Sequence, residues 1–326
     1  MVRRSIMATV RTDQKQRVLM RAVPQSFPNA IANYFGSGPT DIELAKTQHA
    51  AYVQALLDIG LEVTILPADN NHPDCIFVED QAIVIDGHVL LPVPGHPSRV
   101  AEQPPIADFL SRQLNGFQVC GMFGDARMDG GDILRLGDIF FVGRSDRTNE
   151  AGIETLRNLL SHLGHELRIV NIPTEKALHL TSISSTPTDN IILTAEGYLT
   201  AEDFGELPDG CEVILMPEEE VYGCNTIGFE NGRVLIAEGY PTVLKTLKEK
   251  GLEPIVLDMG QIVRQTVRLR AVPSSTNLKQ RVDIASVAVK VAAGVAQLGQ
   301  RRWDEVPVRN GSQVRILPSA PLLPTS

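Results

Sequence analysis

MDGGDILRLGDIFFVGRSDRTNEAGIETLRNLLSHLGHELRIVNI, residues 128–172, carries the pattern that decides the fold. Leu136-Gly137-Asp138 marks a tight turn, and the apolar run Ile139-Phe140-Phe141-Val142 follows it as a strand. Glu150–Gly164 then spaces its apolar residues as a helix does and stops on a glycine. Glu166–Ile172 reads as a further strand. A hairpin, a helix and a returning strand make one ββαβ unit.

The same signals recur on either side. Asp86-Gly87 precedes Val89-Leu90-Leu91, Thr188-Asp189-Asn190 precedes Ile191-Ile192-Leu193, and Glu230-Asn231-Gly232 precedes Val234-Leu235-Ile236. Ala45–Gly60 and Tyr240–Gly251 repeat the helix-then-Gly pattern, followed by Leu61–Pro67 and Leu252–Leu257. The turns return about every 43–52 residues, the mark of a ring or array of such units. A plain doubly wound sheet would show one strand per helix, whereas extra hairpin strands intervene here. The expected fold is a single α/β propeller-like domain with polar residues gathered around its axis.

Composition narrows the function classes. The chain has 326 residues, 43% of them hydrophobic, enough for one or two substantial cores. No apolar run reaches the roughly 18 residues that a membrane helix requires, so no membrane partner is expected. A net charge of −9 argues against a nucleic-acid partner. Four widely spaced cysteines (Cys75, Cys120, Cys211, Cys224) suggest neither a disulfide framework nor a zinc site, and a reducing cytoplasm is the expected compartment. The charge is uneven. Beyond residue 277, Lys279, Arg281, Lys290, Arg301, Arg302, Arg309 and Arg315 face only Asp283, Asp304 and Glu305.

Several segments could carry chemistry. In Asp74-Cys75-Ile76-Phe77-Val78-Glu79-Asp80, acids flank an apolar stretch. On a regular strand Glu79 and Asp80 could not both turn inward. Paired carboxylates suit a planar guanidinium, whose N–H groups fork to match them; read alone, the segment is also a solvated strand edge. Met128-Asp129-Gly130-Gly131-Asp132 sets two acids around glycines that permit a tight turn, with or without a catalytic role. His179 lies between Leu178 and Leu180, a setting that also suits a core histidine. Arg99 and Arg147 are either surface residues or anchors for a substrate carboxylate.

Taken in order, RAVPQS (Arg21–Ser26), PDCIFVED (Pro73–Asp80), PGHPSR (Pro94–Arg99), MDGGDIL, FFVGRSDRTNEAG and LHLTS resemble the dimethylarginine dimethylaminohydrolases. That family belongs to the amidinotransferase and arginine-deiminase superfamily, and the resemblance covers roughly residues 15–263. It implies a five-bladed α/β propeller with a buried central site and no metal or organic cofactor. A cysteine thiolate would attack the guanidinium carbon of a methylated arginine, an amine would leave, and water would release citrulline. His179 would be the acid/base and Asp129 its orienting partner. Asp80 and Glu79, helped by Asp74, would bind the guanidinium. Arg99 and Arg147 would hold the amino-acid carboxylate, and Val23 would touch the substrate through its backbone. Asn225 resembles a structural asparagine of the superfamily. The resemblance also allows a homodimer. His179-Leu180-Thr181 stands where deiminases and amidinotransferases show His-x-Asp, which favours an alkylated guanidinium.

The resemblance breaks at the C-terminus. The family ends in Asp-Gly-small-Leu-Thr-Cys, the cysteine being the nucleophile, but no cysteine follows Cys224 here. Reading the codons of Gln265–Ser275 one base earlier permits Asp-Gly-Ser-Leu-Thr-Cys-Cys-Ser-Val-Leu. The first such cysteine codon would straddle Arg270 and Ala271. Further on, residues 294–299 and 314–317 can be encoded by stretches that resemble the D-arm and T-loop of a transfer-RNA gene. Residues 264–326 are therefore expected to be an out-of-frame or disordered tail, the last blade incomplete, and the chain as written inactive and poorly soluble. Two classes of function follow: a hydrolase with a damaged or mutated record, or a catalytically dead guanidinium-binding protein. An amidinotransferase is a third reading, disfavoured by the absent His-x-Asp acid.

Overall fold

The computed structural model describes residues 17–31, 40–113 and 117–265, with two short strands at 288–289 and 314–316. The described residues form five small sheets, four with three strands and one with four. Blade two pairs Ile83–Ile85 antiparallel with His88–Leu91, crosses over through the helix Gln103–Gln113, and returns as Gln118–Gly121 parallel to His88–Leu91. Blade three repeats this with Ile133–Leu136, Ile139–Arg144, the helix Glu150–Leu163 and Glu166–Asn171. Blade five does so with Ile227–Gly228, Arg233–Ala237, the helix Pro241–Glu249 and Glu253–Leu257. Blade four has the same three strands, Ser184–Thr188, Ile191–Ala195 and Glu212–Met216. A short 3₁₀ turn, Glu202–Phe204, replaces its helix. This is the α/β propeller of ββαβ units that the turn spacing predicts.

Blade one is built from distant parts of the chain. Arg17–Arg21 and Glu62–Leu66 run parallel, joined through the helix Ile42–Ile59. Among the described residues, Ala288–Val289 takes the antiparallel place beside Arg17–Arg21, and Val314–Ile316 lines the outer side of Glu62–Leu66. Both short strands fall within residues 264–326, the stretch expected to be an out-of-frame or disordered tail. The helix Ile42–Ile59 also clasps the chain as it leaves blade five. Gln48 donates to Asp258 at 2.6 Å and accepts from the Gln261 N–H at 2.8 Å.

Local chemistry explains the elements. Asp41 caps Ile42–Ile59 and Asn149 caps Glu150–Leu163, and both helices end on a left-handed glycine, Gly60 and Gly164. In the Asp86-Gly87 turn both residues have positive φ (42° and 81°), the twist that closes a two-residue hairpin. Helix Gln103–Gln113 has prolines in its first turn, where no N–H is needed, and buries Ile106, Phe109 and Leu110. Apolar clusters fill the spaces between sheets and helices, Phe27, Phe140, Phe141 and Phe204 being their largest fully buried members.

Where blades four and five meet, the inner strands pack backbone to backbone. A Cβ on Gly228 would lie 2.0 Å from the carbonyl oxygen of Pro187. Gly228→Ala should therefore destabilise the fold by about 1–3 kcal/mol or more, the usual range for overpacking, as read from a urea melt.

Candidate active site

The segment from Asp74 to Asp80 is not a strand. Val78–Gln81 is a 3₁₀ turn, and the tighter winding lets both Glu79 and Asp80 face inward, 5% and 0% exposed. Asp74, also buried, accepts the Ile31 N–H at 3.1 and 3.2 Å, which ties it to the segment after the RAVP loop. Asp80 accepts the Gly131 N–H at 2.9 Å and pairs with Arg99 at 2.5 Å. Gly131 leaves no room for a side chain, since a Cβ there would meet His179 and Asp80 at 2.8 and 2.9 Å.

Asp129 and His179 are both wholly buried, with His179 Nε2 3.0 Å from Asp129 Oδ2. The other Asp129 oxygen accepts the Gly95 N–H at 2.8 Å. His179 stands at the head of the short helix Leu180–Ile183, where its N–H donates to Ser182 Oγ at 3.3 Å. Burial alone would raise the Asp129 carboxyl. The hydrogen bond to His179, with the charges of His179, Arg99 and Arg147, outweighs burial and holds it below the ordinary carboxylate range. Asp132, three residues on, moves the other way. Burial pushes it up, and the charge of His179 with the hydroxyls of Ser145 and Thr148 offsets only part of that.

The two arginines differ. Arg99 donates through Nε and Nη2 to Glu102 at 3.0 and 2.8 Å, and through Nη2 to the carbonyls of Asp74 and Phe77. Its guanidinium is bound by protein acceptors on several sides. Among the described residues Arg147 has one long ion pair, 3.8 Å to Asp129, and most of its donors have no partner there. Its backbone passes so close to Gly95 that a Cβ there would lie 2.3 Å from the Arg147 carbonyl oxygen. Val23 is buried and packs in the apolar cluster that holds Phe77 and Met259. Asn225 is buried behind Cys224 at the entry to blade five. The position near Ala271 expected for the nucleophile lies outside the described residues.

Glu102, which clamps Arg99 and accepts from Gln81 at 2.9 Å, is part of the site's frame and carries no motif that singles it out in sequence. Asp80, Asp129 and His179 bring their ligand atoms within 4.8 Å of one another, the one such metal-capable group among the described residues. Arg99, Gly131 and Gly95 already donate to these carboxylates, so an ion would have to displace protein bonds.

A buried acid–histidine pair, paired acids and an arginine in one long ion pair lie together in this α/β propeller, and likeness to known proteins places the chain among the guanidine-modifying enzymes related to the amidinotransferases. Residues 26–259 match the family model for N,N dimethylarginine dimethylhydrolase, eukaryotic. The chain belongs to the dimethylarginine dimethylaminohydrolase family, hydrolases of dimethylarginine. It is 30% identical over 246 residues to the N(G),N(G)-dimethylarginine dimethylaminohydrolase of Streptomyces coelicolor, covering 76% of this chain and 91% of that one. With the enzyme of the same name from Pseudomonas aeruginosa it shares 31% identity, covering 69% and 85%. A solved structure of the Pseudomonas enzyme, a cysteine-to-serine mutant complexed with citrulline, superposes with a TM-score of 0.69 at 29% identity. It covers 77% of this chain and 95% of that one.

Two outcomes follow from this geometry. Arg99→Met would leave Asp80 and Glu102 buried without their cation, and should cost about 3–5 kcal/mol in a urea melt. His49, on the helix behind the RAVP loop, is pushed by burial from 6.5 to about 4, against a hydrogen bond with the Arg21 backbone. Between those values the unfolded chain binds a proton that the folded one does not, so stability should fall as pH drops from 6.5 towards 4. His49→Gln should flatten that slope in melts taken across the same window.

Proposed function

We propose that the protein encoded by an intact reading frame hydrolyses Nω-methylated arginine to citrulline and methylamine or dimethylamine. The chain as written then keeps the binding shell without the nucleophile. The observation that carries this reading is the wholly buried His179–Asp129 pair beside Asp80, an arrangement built to exchange protons next to a bound cation.

In the proposed reaction Asp80 and Glu79, with Asp74 behind them, receive the guanidinium, and the Val23 backbone borders the substrate. Arg147 takes the amino-acid carboxylate. Arg99, assigned the same task by resemblance, is better supported as the residue that holds Asp80 in place, because its donors are committed to protein acceptors. A cysteine thiolate adds to the guanidinium carbon, and His179 passes a proton to the amine as its C–N bond breaks. Asp129 keeps the imidazole oriented. His179 then takes a proton from water, whose oxygen adds to the thiouronium carbon; the C–S bond breaks, restoring the thiolate, and the remaining hydroxyl proton passes to solvent as citrulline is released. The cysteine would enter from the segment leading into the inner strand of blade one, the counterpart of the segments that carry Asp80, Asp129 and His179. Residues 15–263 form the working domain in this reading, and 264–326 are out-of-frame sequence.

Neither Cys75 nor Cys224 offers a replacement. Burial pushes Cys75 up to about 11 and raises Cys224 as well, so neither ionises near neutral pH. Their sulfurs face the carbonyls of Asp69 and Glu220. Position 181 is a threonine, its hydroxyl spent on the Gly131 carbonyl at 2.7 Å, and the absence of an acid there supports a methylated guanidinium over the amidinotransferase reading. A second reading, a guanidinium-binding protein with no turnover, is favoured by one fact: no cysteine follows Cys224. No described helix is long and apolar enough to cross a membrane, which is compatible with a cytoplasmic enzyme, and a homodimer fits the same reading.

Resequencing codons 255–280 and measuring citrulline release from dimethylarginine tests this. A chain restored to Leu-Thr-Cys should turn over, and the chain as written should be about 10⁴–10⁶-fold slower. Comparable turnover by both would overturn the reading.

A further inference from the structure

Asp132 ends the turn that Asp129 begins, is 0% exposed, and has no part in the steps above. Its Oδ1 accepts the Leu180 N–H at 3.1 Å. Its Oδ2 accepts the hydroxyls of Ser145 at 2.5 Å and Thr148 at 2.6 Å. Each hydroxyl is itself oriented by backbone. Ser145 Oγ accepts the N–H groups of Arg147 and Thr148 at 3.0 and 3.2 Å, and Thr148 Oγ1 accepts the Asp129 N–H at 3.3 Å. Because both hydroxyls accept from backbone, their protons are directed at Asp132, and three donors converge on one carboxylate.

The three donors come from separate parts of the ring. Leu180 follows His179 at the entry to blade four, while Ser145 and Thr148 bracket Arg147 in the loop after the second strand of blade three. The packing leaves little slack, since a Cβ on Gly143 would lie 2.9 Å from Leu180 Cβ and 3.0 Å from Asp132 Oδ1. We propose that Asp132 is a positioning residue that holds the Arg147 loop and the His179 segment at one fixed spacing. It would thereby match the distance between the proton-exchanging group and the carboxylate anchor to the length of the substrate. This rests on the roles assigned above to His179 and Arg147.

The test uses the full chain as written, with Asp132→Asn and Thr148→Val. Asparagine keeps an acceptor for Leu180 but turns an NH₂ towards two hydroxyl protons. Thr148→Val removes one hydroxyl at nearly constant volume. Calorimetric titrations compare Nω,Nω-dimethylarginine with dimethylagmatine, the same molecule without its carboxylate. Both variants should lose affinity for dimethylarginine by about tenfold or more, the worth of one hydrogen bond to a charged group, with little change for dimethylagmatine. Hydrogen exchange should quicken together in residues 144–149 and 179–183 of Asp132→Asn and stay unchanged in 83–91. Equal losses for both ligands, or exchange that quickens throughout the chain, would mean a general structural role and overturn the proposal. If the parent chain binds neither ligand, the functional reading fails by itself. Exchange then decides the role of Asp132: quickening in both segments sustains it, and quickening in one or neither ends it.

Discussion

Arg99 is only 2% exposed, and the charge of its guanidinium has to be met inside the protein. Asp80 and Glu102 meet it with carboxylates, and Asp74 and Phe77 with carbonyls. These contacts wind residues 74–81 into a turn that carries three acids inward, where an isolated segment of this composition would put some of them in water. Asp80, fixed by Arg99, then reaches the Gly131 N–H in the lead-in to blade three. From there the chain of contacts runs through Asp129 to His179 at the entry of blade four. One buried cation thus underlies the spatial relation of three blades. Removing it would leave two buried carboxylates without their counter-charge.

The propeller explains why residues so far apart in sequence come together. In each unit the start of the inner strand and the end of its antiparallel partner lie at the same end of the hairpin. Asp80, Asp129, His179 and Asn225 stand just before inner strands, while Val23, Arg99 and Arg147 follow the second strand of their units. Repetition of one local connection brings the lead-ins and exits to one end of the ring. The glycines at 95, 131 and 228 allow the close approaches this requires, because a side chain at any of them would strike a neighbouring segment. Sequestration also sorts the acids. Asp129, facing His179 and two arginines, is held in its charged form, while Asp132, facing hydroxyls and an amide, is pushed towards its neutral one.

Much of this architecture was legible beforehand, for identifiable reasons. Hairpin turns such as Asp86-Gly87 and the helix-then-Gly signals at Gly60 and Gly164 are local, and local chemistry forms them whatever surrounds them. Helix Gln103–Gln113 is less legible because two prolines open it, and blade four replaces its helix with a 3₁₀ turn that has no strong periodicity. The segment before Asp80 looks like a strand edge until Arg99 is placed against it. Glu102 and Asp132 belong to the frame of the site through contacts with residues distant from them or not marked by any motif.

By itself, then, the chain determined the repeat, the family resemblance, the residue types of the candidate site and the absence of any cysteine after Cys224, since these rest on local propensity and on the order of motifs. Tertiary structure alone decided which way Glu79 and Asp80 face, that Arg99 serves Asp80 while Arg147 keeps its donors, and which carboxylate is raised and which is lowered. Those outcomes depend on burial and on the partners that other blades bring within reach, and neither is written in any one segment.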